Sequence, residues 1–289
     1  MSYIRYRVLV KCTCSPINRH MKIRRRRTSL NKSAIGSWPT ITLYRQRIPK
    51  EKFDSLPEVD RYCFLLLGHV HDEISWLQRM ALIASQSDLS GDAAQQSGDM
   101  MQMTFLARLL LGKLFEFKRV LSTDSSPLPQ FIASSFDPED EKMGRSRVEE
   151  ILAYYKKEKW IRVARNKHFL HYPDFTDVVD TIKDPEIDWQ VDIYHGKKSA
   201  NTLFPTSDVM ANYAWFRLAN PKSPMEGFTE ALDTIRELVN LTLGTLELSL
   251  GNFVDRKLLD LSDNEEIKLT VRDRLKDLRL SYFVCVDNA

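Results

Sequence analysis

The stretch that decides the fold is Leu56–Ser85, LPEVDRYCFLLLGHVHDEISWLQRMALIAS. Apolar side chains recur in it at steps of three and four residues: Val59, Tyr62, Cys63, Leu66, Val70, Ile74, Leu77, Ala81 and Ala84. That spacing places one face of an α-helix against a core and leaves the other face polar. The pattern holds over the whole stretch and predicts a long amphipathic helix.

The chain after this helix predicts a loop and then a second helix. Ser, Gly, Asp and Gln dominate Ser87–Gly98, which is the composition of a loop. From Met100 to Leu121 an apolar stripe returns, made of Met103, Leu106, Leu110, Leu114 and Phe117. Two prolines in Ser122–Ser135 interrupt it. We therefore expect a helix over Met100–Leu121 followed by a break.

A third helical region begins near Asp137–Asp140. This segment has the residues of a helix N-cap, with proline at the first helical position. The helical pattern is strongest from Arg147 to about His171. Pro173 ends it, because the residue before a proline is displaced from helical geometry.

The rest of the body predicts a hairpin and one more long helix. Asp188–Tyr194 alternates and Ala200–Phe204 is extended, which indicates a β-hairpin at about 188–204. Asp208–Leu218 predicts a short helix, and a capping box at Ser223–Glu226 opens a helix that runs to Gly251. The fold class is mainly α: four long helices in an antiparallel bundle, with a small inserted hairpin.

Composition limits the protein class. The chain has 289 residues, 43% of them hydrophobic, which suffices for a sizeable core. Its most apolar segment, 238–250, is interrupted by polar residues well short of the roughly 18 apolar residues of a membrane helix. Four scattered cysteines, at 12, 14, 63 and 285, form no disulfide framework and indicate reduced thiols. We expect a soluble cytoplasmic protein without a membrane partner.

The charge distribution divides the chain into parts. Residues 1–50 contain 13 Lys or Arg and no Asp or Glu, so the remainder carries 29 basic and 39 acidic residues. We interpret residues 1–50 as a basic arm without regular structure, 51–258 as the helical body and 259–289 as an extension of uncertain structure. Two alternatives for the arm remain open, an organellar transit peptide and translation that starts at Met21.

A row of basic side chains runs along the third helical region. Its members recur at every third residue: Lys156, Lys159, Arg162, Arg165, His168 and His171. Residues three apart are neighbours on a helix surface, so the row forms a continuous basic path. On an acidic body this path is the best candidate for binding an RNA backbone. The alternative is a solvated face that keeps the domain soluble.

The end of that path resembles the signature of the HEPN superfamily. The signature is an Arg, a polar residue that is often Asn, three or four further residues and then a His. Arg165, Asn166 and His171 match these three positions. The tripeptides Arg165-Asn166-Lys167 and His171-Tyr172-Pro173 are similar to those of uncharacterised bacterial members, including the abortive-infection branch. The resemblance covers roughly residues 52–250.

This resemblance implies a function. Many HEPN-like proteins are metal-independent endoribonucleases with an active site across a two-fold dimer, and some are toxins or anti-phage effectors. It implies RNA, a second copy of the chain and an antitoxin or regulatory protein as partners. Other members are inert binding or scaffold modules of the same fold, which is the alternative. The tyrosine that some members modify lies where this chain has Pro173, so that regulation is not carried over.

The chemistry of these residues is compatible with RNA cleavage. The Arg165 guanidinium can hold a phosphate by two hydrogen bonds, and His171 can transfer a proton. Asn166 can fix a phosphate or the His ring, while His168 serves better as support. Six residues turn a helix by about 600°, so Arg165 and His171 do not share a face and one protomer makes half a site. No cofactor is required.

The motif residues and the histidines of the first helix also have interpretations that involve no catalysis or metal binding. Arg165 and His171 could instead stabilise the helix end or bond a carboxylate such as Asp174. His69 and Glu73 share a face of the first helix, but a solvated surface explains them better than a metal site. A third hypothesis assigns all binding to the basic arm, and deletion of residues 1–50 would then abolish RNA affinity.

Overall fold

The computed structural model describes residues 40–86, 92–136, 141–169, 171–184, 190–197, 201–258, 265–271 and 275–283. Over these ranges the protein is mainly helical, with a two-stranded antiparallel sheet. The helices are α1 (Lys50–Asp54), α2 (Glu58–Ala84), α3 (Ala93–Leu121), α4 (Leu128–Ser135), α5 (Glu141–Lys157), α6 (Lys159–Ala164), α7 (Phe175–Ile182), α8 (Pro205–Ala219) and α9 (Pro224–Lys257). A π-helical turn (Arg165–Phe169) continues α6, and the strands are β1 (Thr40–Arg45) and β2 (Glu265–Thr270).

Helix α2 confirms the prediction for residues 56–85. Pro57 precedes it, and acidic residues in its first turn interact favourably with the helix dipole. The side chains of Cys63, Leu67 and Ile74 are buried in the core. Tyr62, which the pattern assigned to the apolar stripe, is half exposed.

Helix α3 begins earlier than its composition indicates. The carboxylate of Asp92 accepts a hydrogen bond from the backbone N–H of Gln95 at 3.0 Å, and this cap starts the helix at Ala93. The predicted loop therefore does not extend to Gly98, which is helical. A Cβ on Gly98 would lie 2.6 Å from the Cβ of Tyr282, so the glycine permits the C-terminal segment to approach.

The predicted break after α3 contains helix α4. Its prolines occupy the N-terminal end, where a missing N–H costs little, so they start a helix rather than prevent one. The guanidinium of Arg256 on α9 donates to the carbonyl oxygens of Ser134 and Ser135 at 3.0 Å and caps the other end. The N-cap predicted at 137–140 lies outside the described residues.

The third helical region is not continuous. Helix α5 ends at Lys157, and Glu158 adopts a non-helical backbone (φ −87°, ψ 65°) before α6 begins. The Glu158 carboxylate accepts from the indole N–H of Trp160 at 3.1 Å, which holds the break in place. The continuous helix predicted from Arg147 to about His171 is wrong, because it ends at Phe169 and is interrupted at Glu158.

The long helices share one core. Helices α2, α3 and α9 contact one another around buried leucines and isoleucines, α5 packs against α3 and α9, and α8 adds the fully buried Trp215. The predicted short helix is confirmed as α8, and α9 continues past the predicted Gly251 to Lys257. Ser223 caps α9 by accepting from the N–H of Glu226 at 3.4 Å. None of the helices within the described ranges has both the length and the apolarity to cross a membrane.

The β-structure differs from the expected hairpin. Tyr194 and Leu203 exchange two backbone hydrogen bonds of 2.9 Å as an isolated bridge, and residues 198–200 lie outside the described ranges. The sheet instead pairs β1 with β2, so residues 40–45 of the basic arm form a strand, contrary to the expectation that the arm lacks regular structure, and lie beside the C-terminal extension. Arg47 and Arg45 contact Glu265 across this pair at 3.3 and 3.8 Å.

Candidate nucleic-acid interface

Arg165 is held by a carboxylate on a neighbouring helix. Its Nε donates to Oε1 of Glu116 on α3 at 3.0 Å, and its Nη2 donates to the same oxygen at 2.5 Å. Its Nη1 donates to the side-chain oxygen of Asn166 at 3.2 Å. The guanidinium also lies 5.9 Å from the centre of the Phe115 ring. Most of its donors are therefore engaged within the protein, as the alternative interpretation expected, although Glu116 takes the place of Asp174.

The other two motif residues are exposed. Asn166 lies in the π-helical turn, and His171 follows it outside any helix. Within the described residues His171 has no hydrogen-bond partner, and no hydrogen bond or ion pair joins it to Arg165. The structure thus joins Arg165 to Asn166 by a hydrogen bond and, among the described residues, shows no such bond from either residue to His171.

His168 lies away from the exposed basic path. Its side chain is 3% exposed, its Nε2 lies 3.9 Å from a carboxylate oxygen of Asp177, and its Nδ1 has no partner among the described residues. Burial lowers the pKa of His168 below its ordinary value, although the charge of Asp177 opposes the shift. The expectation that His168 contacts RNA is corrected, because the π-helical turn directs this ring into the protein.

A surface groove collects the remaining predicted cations. It has a volume of about 830 Å³ and is bounded by α3, the 122–126 loop, α4, α5 and α6. Lys156, Lys159 and Arg162 lie along one side, and Lys118 of α3 contributes a fourth cation. We call this feature the cationic groove. Lys118 is not part of the predicted basic row, because it belongs to a different helix.

Aromatic rings form part of the groove wall. The Phe115 ring packs edge-on against Tyr155 at a centroid distance of 5.8 Å. The Nζ of Lys118 lies 5.6 Å from the Phe115 centroid, so that ring lies beside both Lys118 and Arg165. Burial raises the pKa of Tyr155, which keeps its hydroxyl protonated. The arrangement places Lys118 and Arg165 within cation–π range of the Phe115 ring.

The groove cations differ from other cations on this surface. Lys113, Arg119 and Arg145 each contact a carboxylate at 2.5–2.8 Å. In the part of the chain that the structure describes, none of the four groove cations has a carboxylate partner within 4 Å. Asp124 is the one acidic residue among the described residues that line the groove. The groove therefore concentrates positive charge on an acidic body.

The described residues contain no group of three or more His, Cys, Asp and Glu side chains placed to hold a metal ion. His69 and Glu73 are 3.7 Å apart on an exposed face of α2. No family model, curated protein or solved structure matches the chain. The fold and the site together define a mainly helical protein with a cationic surface groove.

Proposed function

We propose that this protein binds RNA through the phosphate backbone in the cationic groove. The observation that carries the proposal is the convergence of Lys118, Lys156, Lys159 and Arg162 on one groove, where none of them has a carboxylate partner among the residues that the structure describes. Proteins that bind single-stranded nucleic acid commonly hold the backbone in such a positively charged groove. Because the body as a whole is acidic, the local concentration of charge favours a polyanion at this place over general attraction.

The groove suits a flexible strand better than one small anion. Its cations come from three helices, α3, α5 and α6, and therefore present several separated positive centres to a chain of phosphates. Each contact releases counterions from the nucleic acid, which supplies most of the binding free energy. Binding of this kind depends on the charge and the geometry of the strand. We therefore expect only a weak preference for base sequence.

The test is fluorescence anisotropy of the full chain with a labelled single-stranded RNA. A triple variant, Lys156→Ala/Lys159→Ala/Arg162→Ala, removes one side of the groove. We expect its affinity to fall at least about a hundredfold, since each lost phosphate contact weakens binding severalfold at moderate salt. Wild-type affinity in this variant would contradict the proposal.

A matched control lies on α5, the helix that carries Lys156. Lys142, Arg145 and Arg147 are near the other end of α5, so their replacement by alanine removes the same charge without touching the groove. This control should bind RNA within about threefold of the wild type. A further variant of the full chain replaces Arg24–Arg27 by alanine. Loss of affinity in that variant alone would assign binding to the basic arm instead.

A second candidate function is metal-independent RNA cleavage by a HEPN-like endoribonuclease that acts as a toxin or anti-phage effector under the control of an antitoxin. The observation that favours it is the position of Arg165 beside Phe115 of the groove wall, with Asn166 and His171 exposed nearby in the chain. Arg165, Asn166 and His171 would act from two protomers across a homodimer. The antiparallel four-helix bundle and a cytoplasmic location belong to this proposal as well.

Cleavage is tested separately from binding. Purified protein is incubated with labelled RNA in EDTA, beside Arg165→Ala and His171→Ala variants and an Arg119→Ala control. Arg119 also contacts Glu116, at 2.8 Å, but lies outside the motif. Products with 2′,3′-cyclic phosphate ends, lost only in the two motif variants, would support the nuclease. Intact RNA, or equal cleavage by all four proteins, would leave the binding function alone.

A further inference from the structure

A pocket separate from the cationic groove lies between α3, α8 and the start of α9. It has a volume of about 300 Å³, and none of the described residues that line it also lines the groove. Its walls are largely apolar and include Met100, Met103, Val209, Phe216, Met225 and Phe228. Val209 and Met225 are 43% and 36% exposed, so the pocket is accessible from solvent on their side.

The charged groups of this pocket have one sign. Asp99 and Asp208 line it, and no Lys, Arg or His does so among the described residues. One carboxylate oxygen of Asp208 accepts a long hydrogen bond of 3.4 Å from the hydroxyl of Thr104. Burial raises the pKa of Asp208, and the nearby Arg108 opposes that shift only in part. A carboxylate in apolar surroundings gains more from a cationic partner than one in water.

A second apolar pocket adjoins the first. It has a volume of about 320 Å³ and lies between α2, α3 and α9, where Ala81 and Ala107 leave space. Met103 lines both pockets, and it is the residue that they share among those described. Methionine is unbranched and flexible, so its side chain can change position at little cost. Met103 therefore forms a movable wall between two apolar spaces.

We propose that the first pocket binds a linear aliphatic amine, with the ammonium group at Asp208 and the chain directed toward Met103. The apolar walls favour a hydrocarbon chain, and the carboxylate of Asp208, whose burial Arg108 compensates only in part, favours a cationic head over a neutral or anionic one. Movement of Met103 would admit a longer chain into the second pocket. This site does not depend on RNA binding.

The first experiment is isothermal titration calorimetry of the full chain with octylamine, octanol and octanoate, which share one chain length. Octylamine should bind at least about tenfold more tightly than octanol, and octanoate should not bind. Among butyl-, hexyl- and octylamine each added methylene should raise affinity about fourfold. Equal affinities for the three head groups, or no binding of octylamine, would overturn the proposal.

Variants locate the ligand. Asp208→Asn should abolish the preference for amine over alcohol and retain octanol binding, whereas Asp180→Asn on α7 should behave like the wild type. Met103→Trp fills the space and should abolish binding of octylamine and octanol, and circular dichroism checks that the variant is folded. Binding that persists in Met103→Trp would assign the ligand to another surface and overturn the proposal.

Chain length tests the movable wall. Met103→Ala joins the two pockets and should raise the affinity for dodecylamine relative to the wild type more than that for butylamine. Met101→Ala, on the same helix but outside both pockets, is the matched control. An equal change for both amines would contradict the role of Met103.

Discussion

Nε and Nη2 of Arg165 both donate to one carboxylate oxygen of Glu116, from the π-helical turn to α3. Glu116 also accepts from Arg119 at 2.8 Å, through its other oxygen. The side chains of Arg165 and Glu116 are 25% and 39% exposed, so solvent screens the pair. A phosphate that approaches Arg165 must compete with a carboxylate already bound to it. Glu116 therefore determines how readily the guanidinium of Arg165 can bind a phosphate.

Removal of the Glu116 charge should strengthen RNA binding. Glu116→Gln leaves Arg165 with a weaker partner and removes one negative charge beside the groove. We expect affinity to rise about fivefold, which corresponds to roughly 1 kcal/mol for one unit charge near the surface. Anisotropy titration measures it, with Glu58→Gln at the start of α2 as the control. Unchanged or weaker binding by Glu116→Gln would show that the pair does not limit access.

The salt dependence of RNA binding should report the number of groove contacts. For single-stranded nucleic acid the slope of log K against log salt concentration is about −0.7 per neutralised phosphate, so four cations predict a slope of roughly −3. Lys118→Ala should reduce its magnitude by about 0.7. Lys113→Ala, on the same helix but outside the groove, should leave the slope unchanged. A slope near zero would exclude backbone binding in the groove.

Burial of His168 should make the fold less stable in mild acid. The ordinary pKa of histidine is about 6.5, and burial lowers the pKa of His168 in the folded state. As pH falls below about 6.5, His168 binds a proton in the unfolded chain but not in the folded protein. The free energy of unfolding therefore decreases. The charges facing His168 are those of Asp177, Lys167, Asp174 and Arg108.

Urea unfolding at pH 7.5 and 5.5 measures this effect. His168→Gln should show a smaller loss of stability between the two pH values than the wild type, because it has no proton to bind. His69→Gln, at a position with 68% of its side chain exposed, is the control. An identical pH dependence in His168→Gln and the wild type would contradict the prediction.

Two glycines of α9 should respond oppositely to alanine. A Cβ on Gly227 would lie 2.2 Å from the backbone oxygen of Phe216, so Gly227→Ala must displace α8 and should cost about 1–3 kcal/mol or more. Apart from the neighbouring backbone of α9 itself, no atom of the described residues lies within 4 Å of a Cβ added at Gly244, so Gly244→Ala should stabilise the helix by about 0.5–1 kcal/mol. Urea unfolding distinguishes them, and equal effects would show that the α8–α9 contact is not tight.

Sequence periodicity was sufficient to predict the existence of the main helices. The apolar stripe of α2 and the residues around Ser223 at the start of α9 define those elements, because amphipathic spacing and capping are local properties. The helices around Glu158 were less predictable, since the break there depends on its backbone and on its bond to Trp160. Local pattern also could not place β1 beside β2, because strand pairing joins residues more than 200 positions apart.

The sequence by itself determined the helical class of this protein and the basic row Lys156, Lys159 and Arg162, since both follow from the spacing of residue types along one chain. Only the tertiary structure decided which of the charged side chains can contact a ligand at the surface. It brought Lys118 to the groove, turned His168 inward and paired Arg165 with Glu116, 49 residues away. The physical reason is that burial and ion pairing depend on packing between elements, which the period of a single helix does not contain.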